Sequence, residues 1–250
     1  MSKTYLIGII ICLNGFFAFS QEDYVIEKPT DKRISKFDSI PNPDFTNYFL
    51  NSSAFTLKEG DIRLSNTDLL FTKGSFGFTE KSTISASISL IGTFIGSFKQ
   101  KIKLKDNLNL GFSASIGQLA SLPTDSVIFF VGGQGMLTLG DNQNNITFGL
   151  GYYFAKSSFV IVNNDRQLFL SNVYISTLKQ ISRRLYLVAE GMYFENYNLF
   201  SGSLGLKVII KTNITLGFGI MPLALRNGNI GRSNTEATAL PILSFRMLFD

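Results

Sequence analysis

From residue 82 onward the chain repeats one pattern, in which apolar and small polar residues alternate with a period of two. In residues 82–91, Ile84, Ala86, Ile88 and Leu90 share one face, and Ser85, Ser87 and Ser89 share the other. In residues 108–117, Leu108, Leu110, Phe112, Ala114 and Ile116 oppose Asn109, Gly111, Ser113, Ser115 and Gly117. Residues 146–154 set Ile146, Phe148, Leu150, Tyr152 and Phe154 against Thr147, Gly149, Gly151 and Tyr153. Residues 214–220 set Ile214, Leu216, Phe218 and Ile220 against Thr215, Gly217 and Gly219. A period of two sends such sets to opposite sides of a sheet. Residues 167–178 and 185–194 alternate less cleanly and are read as strands as well.

Short polar turns separate alternate pairs of strands: Thr79-Glu80-Lys81, Lys105-Asp106-Asn107, residues 141–145, Ser182-Arg183-Arg184 and Lys211-Thr212-Asn213. Longer connections fall between them, notably residues 155–165 and 224–235. Tight turns at one end and longer loops at the other are expected of a transmembrane barrel. The pattern predicts about twelve strands, an even count that places both termini in the periplasm. Ten or fourteen are the alternatives, because residues 61–78 hold either one long strand or two short ones.

Soluble sandwiches also alternate, so the content of the polar face decides. A solvated face would carry many Lys and Glu. This face is mostly Ser, Gly, Thr and Asn, which fit the inside of a narrow barrel. The opposite face, rich in Leu, Ile and Phe, would then meet lipid, where an open sheet edge finds no water to satisfy it. The fold class expected is therefore all-β, a closed antiparallel transmembrane β-barrel over residues 60–250. The alternative is a secreted soluble β-sandwich that binds a ligand or surface. Aromatics near the long-loop ends (Phe129, Phe130, Tyr152, Tyr153, Phe154, Phe169, Tyr193, Phe194 and Tyr197) would form an interfacial girdle. The last strand sets Leu243, Phe245, Met247 and Phe249 on one face, similar to the terminal strand of outer-membrane barrels, with Asp250 a departure from the aromatic end.

Composition agrees. Of 250 residues, 16% are charged, against about 25% in ordinary soluble domains. Phenylalanine is abundant (24 residues) and glycine (22) far exceeds proline (6), as long strands with crowded positions require. Residues 1–20 have a basic start at Lys3, an apolar run from Tyr5 to Phe17, and Ala18-Phe19-Ser20 before Gln21. That is a secretory signal in three parts, with cleavage expected after Ser20. The run is shorter than the roughly 20 residues of a spanning helix. Ile9, Ile10 and Ile11 ahead of Cys12 do not suit lipoprotein processing. Residues 21–43 are polar and aperiodic, and the expected organisation is a flexible periplasmic arm and lead-in over residues 21–59, ahead of the barrel. The expected location is the cell outer membrane.

Tyr48-Phe49-Leu50-Asn51-Ser52-Ser53-Ala54-Phe55-Thr56-Leu57-Lys58-Glu59-Gly60, followed by Gly77-Phe78-Thr79-Glu80-Lys81, resembles a segment common in poorly characterised outer-membrane barrel proteins of Bacteroidota. The resemblance covers under a fifth of the chain and differs in its turn. It implies a fold and a location, and brings no catalytic or ligand residues with it. Asp38-Ser39-Ile40 and Asp125-Ser126-Val127 look like the Asp-Ser/Thr-apolar acceptor site for O-glycosylation in that group.

The chain has no histidine, and its one cysteine, Cys12, lies in the signal. A Ser–His or Cys–His mechanism and a His/Cys zinc site are thereby excluded. No catalytic, cofactor or metal residues are assigned, and an enzyme is not expected. The formal charge of +5 gives no nucleic-acid footprint. One stretch invites a functional reading. In residues 98–105, Lys99, Lys101, Lys103 and Lys105 share a face opposite Phe98, Gln100, Ile102 and Leu104, so the row would point into the lumen. A positive lining favours anions. The plainer alternative pairs these lysines with lumen carboxylates such as Glu190, or leaves them at a solvated rim. The sequence thus predicts a porin-like, non-enzymatic barrel with outer-membrane lipid, small solutes or ions and an unidentified protein as its possible partners. It is either a narrow passive channel or a structural or interaction barrel. A plugged or nearly closed lumen is expected, since about twelve strands leave little room inside.

Overall fold

The computed structural model describes residues 42–68, 71–89, 92–121, 126–158, 166–226 and 235–249. The expected signal, most of the expected arm, and Asp38 and Asp125 of the two acceptor motifs lie outside them. Twelve strands follow in order: β1 (Ile62–Thr67), β2 (Phe71–Thr79), β3 (Ser82–Ser89), β4 (Phe94–Lys105), β5 (Leu108–Ser121) and β6 (Ser126–Gly140). Then come β7 (Asn144–Ser158), β8 (Arg166–Ser182), β9 (Leu185–Phe194), β10 (Leu199–Lys211), β11 (Ile214–Arg226) and β12 (Thr235–Phe249). Each pairs antiparallel with its neighbours in sequence. β12 pairs with β1 from Ile62↔Phe249 to Thr67↔Ser244, which closes the barrel. A closed sheet of twelve strands rules out the sandwich. The stretch 61–78 is two strands, divided where Asp68 takes a left-handed φ of 64°.

The two ends differ as the turns predict. The connections β2–β3, β4–β5, β6–β7, β8–β9 and β10–β11 are two or three residues long, and both ends of the described barrel chain lie beside them. The opposite connections are longer in most cases, with seven residues between β7 and β8 and eight between β11 and β12. The facing follows the period of two. Phe112 and Phe218 are each 48% exposed and Leu150 is 64% exposed, on the outside. Their neighbours Thr147, Thr215 and Ser244 are buried inside. Large apolar side chains are exposed on every one of the twelve strands, far beyond the few hundred Å² of apolar patch a soluble monomer carries. Among the described residues no helix is long and apolar enough to cross a membrane.

The girdle needs a correction. Phe129, Tyr152, Phe169 and Tyr193 do face outward, and the Phe169 ring lies 6.1 Å from Tyr152 and 5.4 Å from Phe154. Phe130, Tyr153 and Phe194 face inward instead. Tyr153 follows Tyr152 on a strand, so it must point the other way, and it meets Phe130 inside at 6.5 Å. Phe194 is buried at 6% exposure in the lumen core.

Candidate functional site

The lumen is occupied by the chain's own residues 42–57. This stretch belongs to residues 21–59, which the sequence predicts as a flexible periplasmic arm and lead-in. It runs inward from the tight-turn end, reverses near mid-barrel and returns to β1. The reversal is a small hairpin. Asn47 and Ser52 form an antiparallel bridge, the Tyr48 amide donates to the Asn51 carbonyl at 2.9 Å, and the Ser53 amide donates to the Thr46 carbonyl at 3.1 Å. The physical reason is in the residues. Tyr48, Phe49, Ala54, Phe55 and Leu57 are all buried, and a solvated arm would leave them in water.

The wall receives the hairpin in three ways. The first is apolar packing. Tyr48 and Phe49 join Leu178, Tyr186, Val188, Phe194, Leu199, Ile209, Met221, Leu223 and Ile242 in one cluster, all from β8–β12 apart from the hairpin pair. Each such side chain contributes roughly 1.5–3 kcal/mol when fully buried. The second is close approach at glycine. A Cβ on Gly111 would sit 2.9 Å from the Ala54 Cα, and one on Gly217 would sit 2.7 Å from the Phe49 ring. These two lining glycines leave the space the hairpin fills.

The third is polar. The Glu190 carboxylate, on β9, accepts from three consecutive hairpin amides: Phe49 at 3.1 Å, Leu50 at 2.9 Å and Asn51 at 2.8 Å. The Ser203 hydroxyl also donates to it. Successive amides pointing at one point form a concave anion nest, and here the anion belongs to the wall. Nearer the tight-turn end, buried Asp44 accepts from Lys207 and Arg246, and the Arg63 guanidinium lies 3.9 Å away. Lys207 and Arg246 also donate to the Tyr48 carbonyl at 3.2 and 2.6 Å. The Lys207 ammonium lies 5.6 Å from the Phe49 ring centroid, within cation–π range. On the opposite wall the Tyr48 hydroxyl bonds Asn145 at 2.5 Å and Thr147 at 2.6 Å, and burial pushes its phenol up from the ordinary value. The Ala54 amide donates to Thr138 at 2.8 Å and the Leu57 amide to Thr83 at 3.0 Å. The hairpin's backbone groups, which have few partners of their own, are thus satisfied by wall side chains, as buried polar groups must be.

The lysine row spreads from lumen to rim. Lys99 points inside and donates to the carbonyls of Thr46 at 3.3 Å and Ser53 at 3.2 Å. Lys101 is half-buried. Lys103 is at the exposed rim, paired at 2.7 Å with Asp106, whose side chain is fully exposed. That bond holds the Asp106 carboxyl below its ordinary value. Lys105 is exposed. The row therefore passes from lumen to rim, because β4 extends beyond β3, whose pairing with it ends at Ser82↔Gln100, while β5 stays paired to Lys105. Nor does Glu190 pair with these lysines: its oxygens go to the hairpin amides.

Asp44, Arg63, Lys207 and Arg246 carry the site and were not singled out by sequence reasoning. A signal existed. Arg63, Glu190, Lys207 and Arg246 each lie at lumen parity, and a charge there needs a partner.

Two cavities flank the hairpin. One, of about 280 Å³, lies on its loop side against β1–β7. The other, of about 420 Å³, lies on the tight-turn side, lined by Phe55, Lys101, Asp106 and Asn109 among others. No group of three or more His, Cys, Asp or Glu suited to a metal occurs among the described residues.

No protein-family model and no curated protein matches the chain. Solved structures do. The KdgM porin in complex with disordered oligogalacturonate is similar at a TM-score of 0.47 and 10% identity, over 76% of this chain and 98% of that one. The NanC porin is similar at 0.44 and 15%, over 75% and 97%. Outer-membrane expressed OmpT of Vibrio cholerae is similar at 0.40 and 10%, over 74% and 66%. These likenesses are of overall form.

Proposed function

We propose that this protein is a non-enzymatic, porin-like barrel of the outer membrane, a narrow passive channel held shut by its own hairpin. The lipid-facing belt of apolar side chains on all twelve strands supports the location. The proposal includes export on residues 1–20 with cleavage after Ser20, and kinship with the Bacteroidota barrels that residues 48–60 resemble. A mature amino terminus at or near Gln21 by mass spectrometry is the check on export.

The observation that carries the channel reading is the manner of closure. The hairpin stands between two cavities and is held by two charged clasps, Asp44 among cations and Glu190 under three amides. A lumen filled only for stability would be met by apolar side chains, which often hold as well as buried ion pairs. The test is conductance in planar bilayers. The native protein should be closed or nearly so. The double variant Asp44→Asn, Glu190→Gln weakens both clasps and should open, with folding verified by heat-modifiable gel mobility. If the folded double variant stays silent, the channel reading fails and a structural barrel remains.

A further inference from the structure

The cavity on the loop side of the hairpin is built from an uncommon set of residues. The described residues that line it include four cations, Arg63, Lys73, Lys99 and Arg246, and no carboxylate. The remaining lining is rich in serine hydroxyls, with Gln134 and Tyr153. We infer that this cavity is a binding site for a small oxyanion, a carboxylate, phosphate or sulfate group that reaches it from the loop end. The inference deepens the channel reading above by naming the class of solute.

The floor and the walls play different parts. Arg63 and Arg246 are almost wholly buried and are turned to the hairpin, where Thr46, Asp44 and the Tyr48 carbonyl take their donors. They supply charge from below. Lys73 and Lys99 are the groups a solute would touch. Each ammonium carries three donors. Lys99 directs two of them at the Thr46 and Ser53 carbonyls, which leaves one. The Lys73 ammonium has no hydrogen-bond or ion-pair partner among the described residues. Asp44 does not answer for it, since that one carboxylate already serves Lys207, Arg246 and Arg63.

Arg63, Lys73, Lys99 and Arg246 line one cavity together, and like charges repel. Walls of low dielectric focus such a field into the cavity and raise the local concentration of anions. The hydroxyls of Ser65 and Ser87 flank Lys73 across the strand ladders, and Ser113 faces Lys99. The Ser65 hydroxyl donates to the Lys73 carbonyl at 3.4 Å, and those of Ser87 and Ser113 are the neutral donors offered to an oxyanion. The volume of about 280 Å³ corresponds to roughly nine waters at ~30 Å³ each, which admits a small solute and not an extended chain.

The test is equilibrium binding to the folded barrel in detergent micelles, by isothermal calorimetry at fixed ionic strength. The probes are inorganic phosphate, sulfate and acetate, with glucose as the uncharged control. Saturable binding of at least one anion at one site per barrel is expected, with none for glucose. Lys73→Gln and Lys99→Gln should each weaken it by on the order of tenfold, whereas Lys105→Gln at the rim should leave it unchanged. Ser113→Asp keeps every lysine but sets a carboxylate opposite Lys99, and it should abolish binding. Gel mobility confirms that each variant is folded, and Ser113→Asp serves if a lysine variant is not. No saturable binding to the native barrel, or equal loss in Lys105→Gln, overturns the inference. Binding in a barrel that never conducts sinks the channel reading alone. Conduction without binding sinks this site alone.

Discussion

The two sides of the lumen meet the same hairpin and treat it differently. From β8 to β12 the lining is a packed core, with Leu178, Tyr186, Val188, Ile209, Met221 and Ile242 against Tyr48 and Phe49. From β1 to β5 the lining is serine, threonine and lysine around an open cavity. Both walls share one fold, one period and one lipid-facing outer surface. The difference teaches that in a narrow barrel the lining is chosen by what fills it. Apolar inner residues gather where Tyr48 and Phe49 pack, while polar and charged wall residues on both sides, among them Glu190, Lys207 and Thr83, hold the hairpin backbone and Asp44.

The comparison can be broken most strongly at Asp44. Asp44→Ala leaves Lys207, Arg246 and Arg63 buried with no counter-charge, a loss of about 3–5 kcal/mol. The barrel should keep its gel mobility while limited proteolysis begins to cut within residues 42–57. A hairpin that stays protected would show that the apolar wall alone holds it. Next is the packed wall itself. Leu178→Ala should lower stability to urea in lipid by about 2–5 kcal/mol, as for other core leucines. A loss below about 1 kcal/mol would mean that side of the lumen is not close-packed. The outer face is common to both halves, and Phe218→Arg should destabilise insertion by about 2–4 kcal/mol near the midplane. Unchanged folding in lipid would reverse the facing assigned to β11. The smallest effect belongs to the open wall, where Ser113→Ala should change stability by no more than about 0.5 kcal/mol. A loss as large as that of Leu178→Ala would erase the contrast between the walls.

The same contrast explains what could be read from the chain. Residues 82–91 and 108–117 alternate cleanly because their inner rows, Ser85 and Ser87 or Ser113 and Ser115, line the open cavity. Closure, strand number and facing were legible there. Residues 167–178 and 185–194 blur because both of their faces are apolar. Val173 and Ile175 meet the outside while Leu178, Tyr186 and Val188 meet the plug. The weak alternation was itself the trace of the hairpin. The clasps were not legible, because Glu190 meets the hairpin amides across 139 to 141 positions of chain and Asp44 meets Lys207 and Arg246 across 163 and 202. No local pattern encodes such a meeting. The depth of each lysine in the row was not legible for a related reason. Parity fixes the side to which Lys99 and Lys103 point, but not the height at which the wall ends.

The hairpin precedes every strand in the chain, yet its clasp residues follow Asp44 by 163 and 202 positions. Its fastening contacts are therefore of long range in the chain. Contacts of such long range form late. Residues 58–61 alone join the hairpin to β1, so β1 and the hairpin arrive at the final seam together. A barrel that sealed β12 to β1 beforehand would have to pass folded chain through its tight-turn mouth. A sheet that curls around the hairpin as a former needs no such passage. Arg246 donates to Asp44 from the strand that makes the seam, so the clasp and the closure of the ring share one strand.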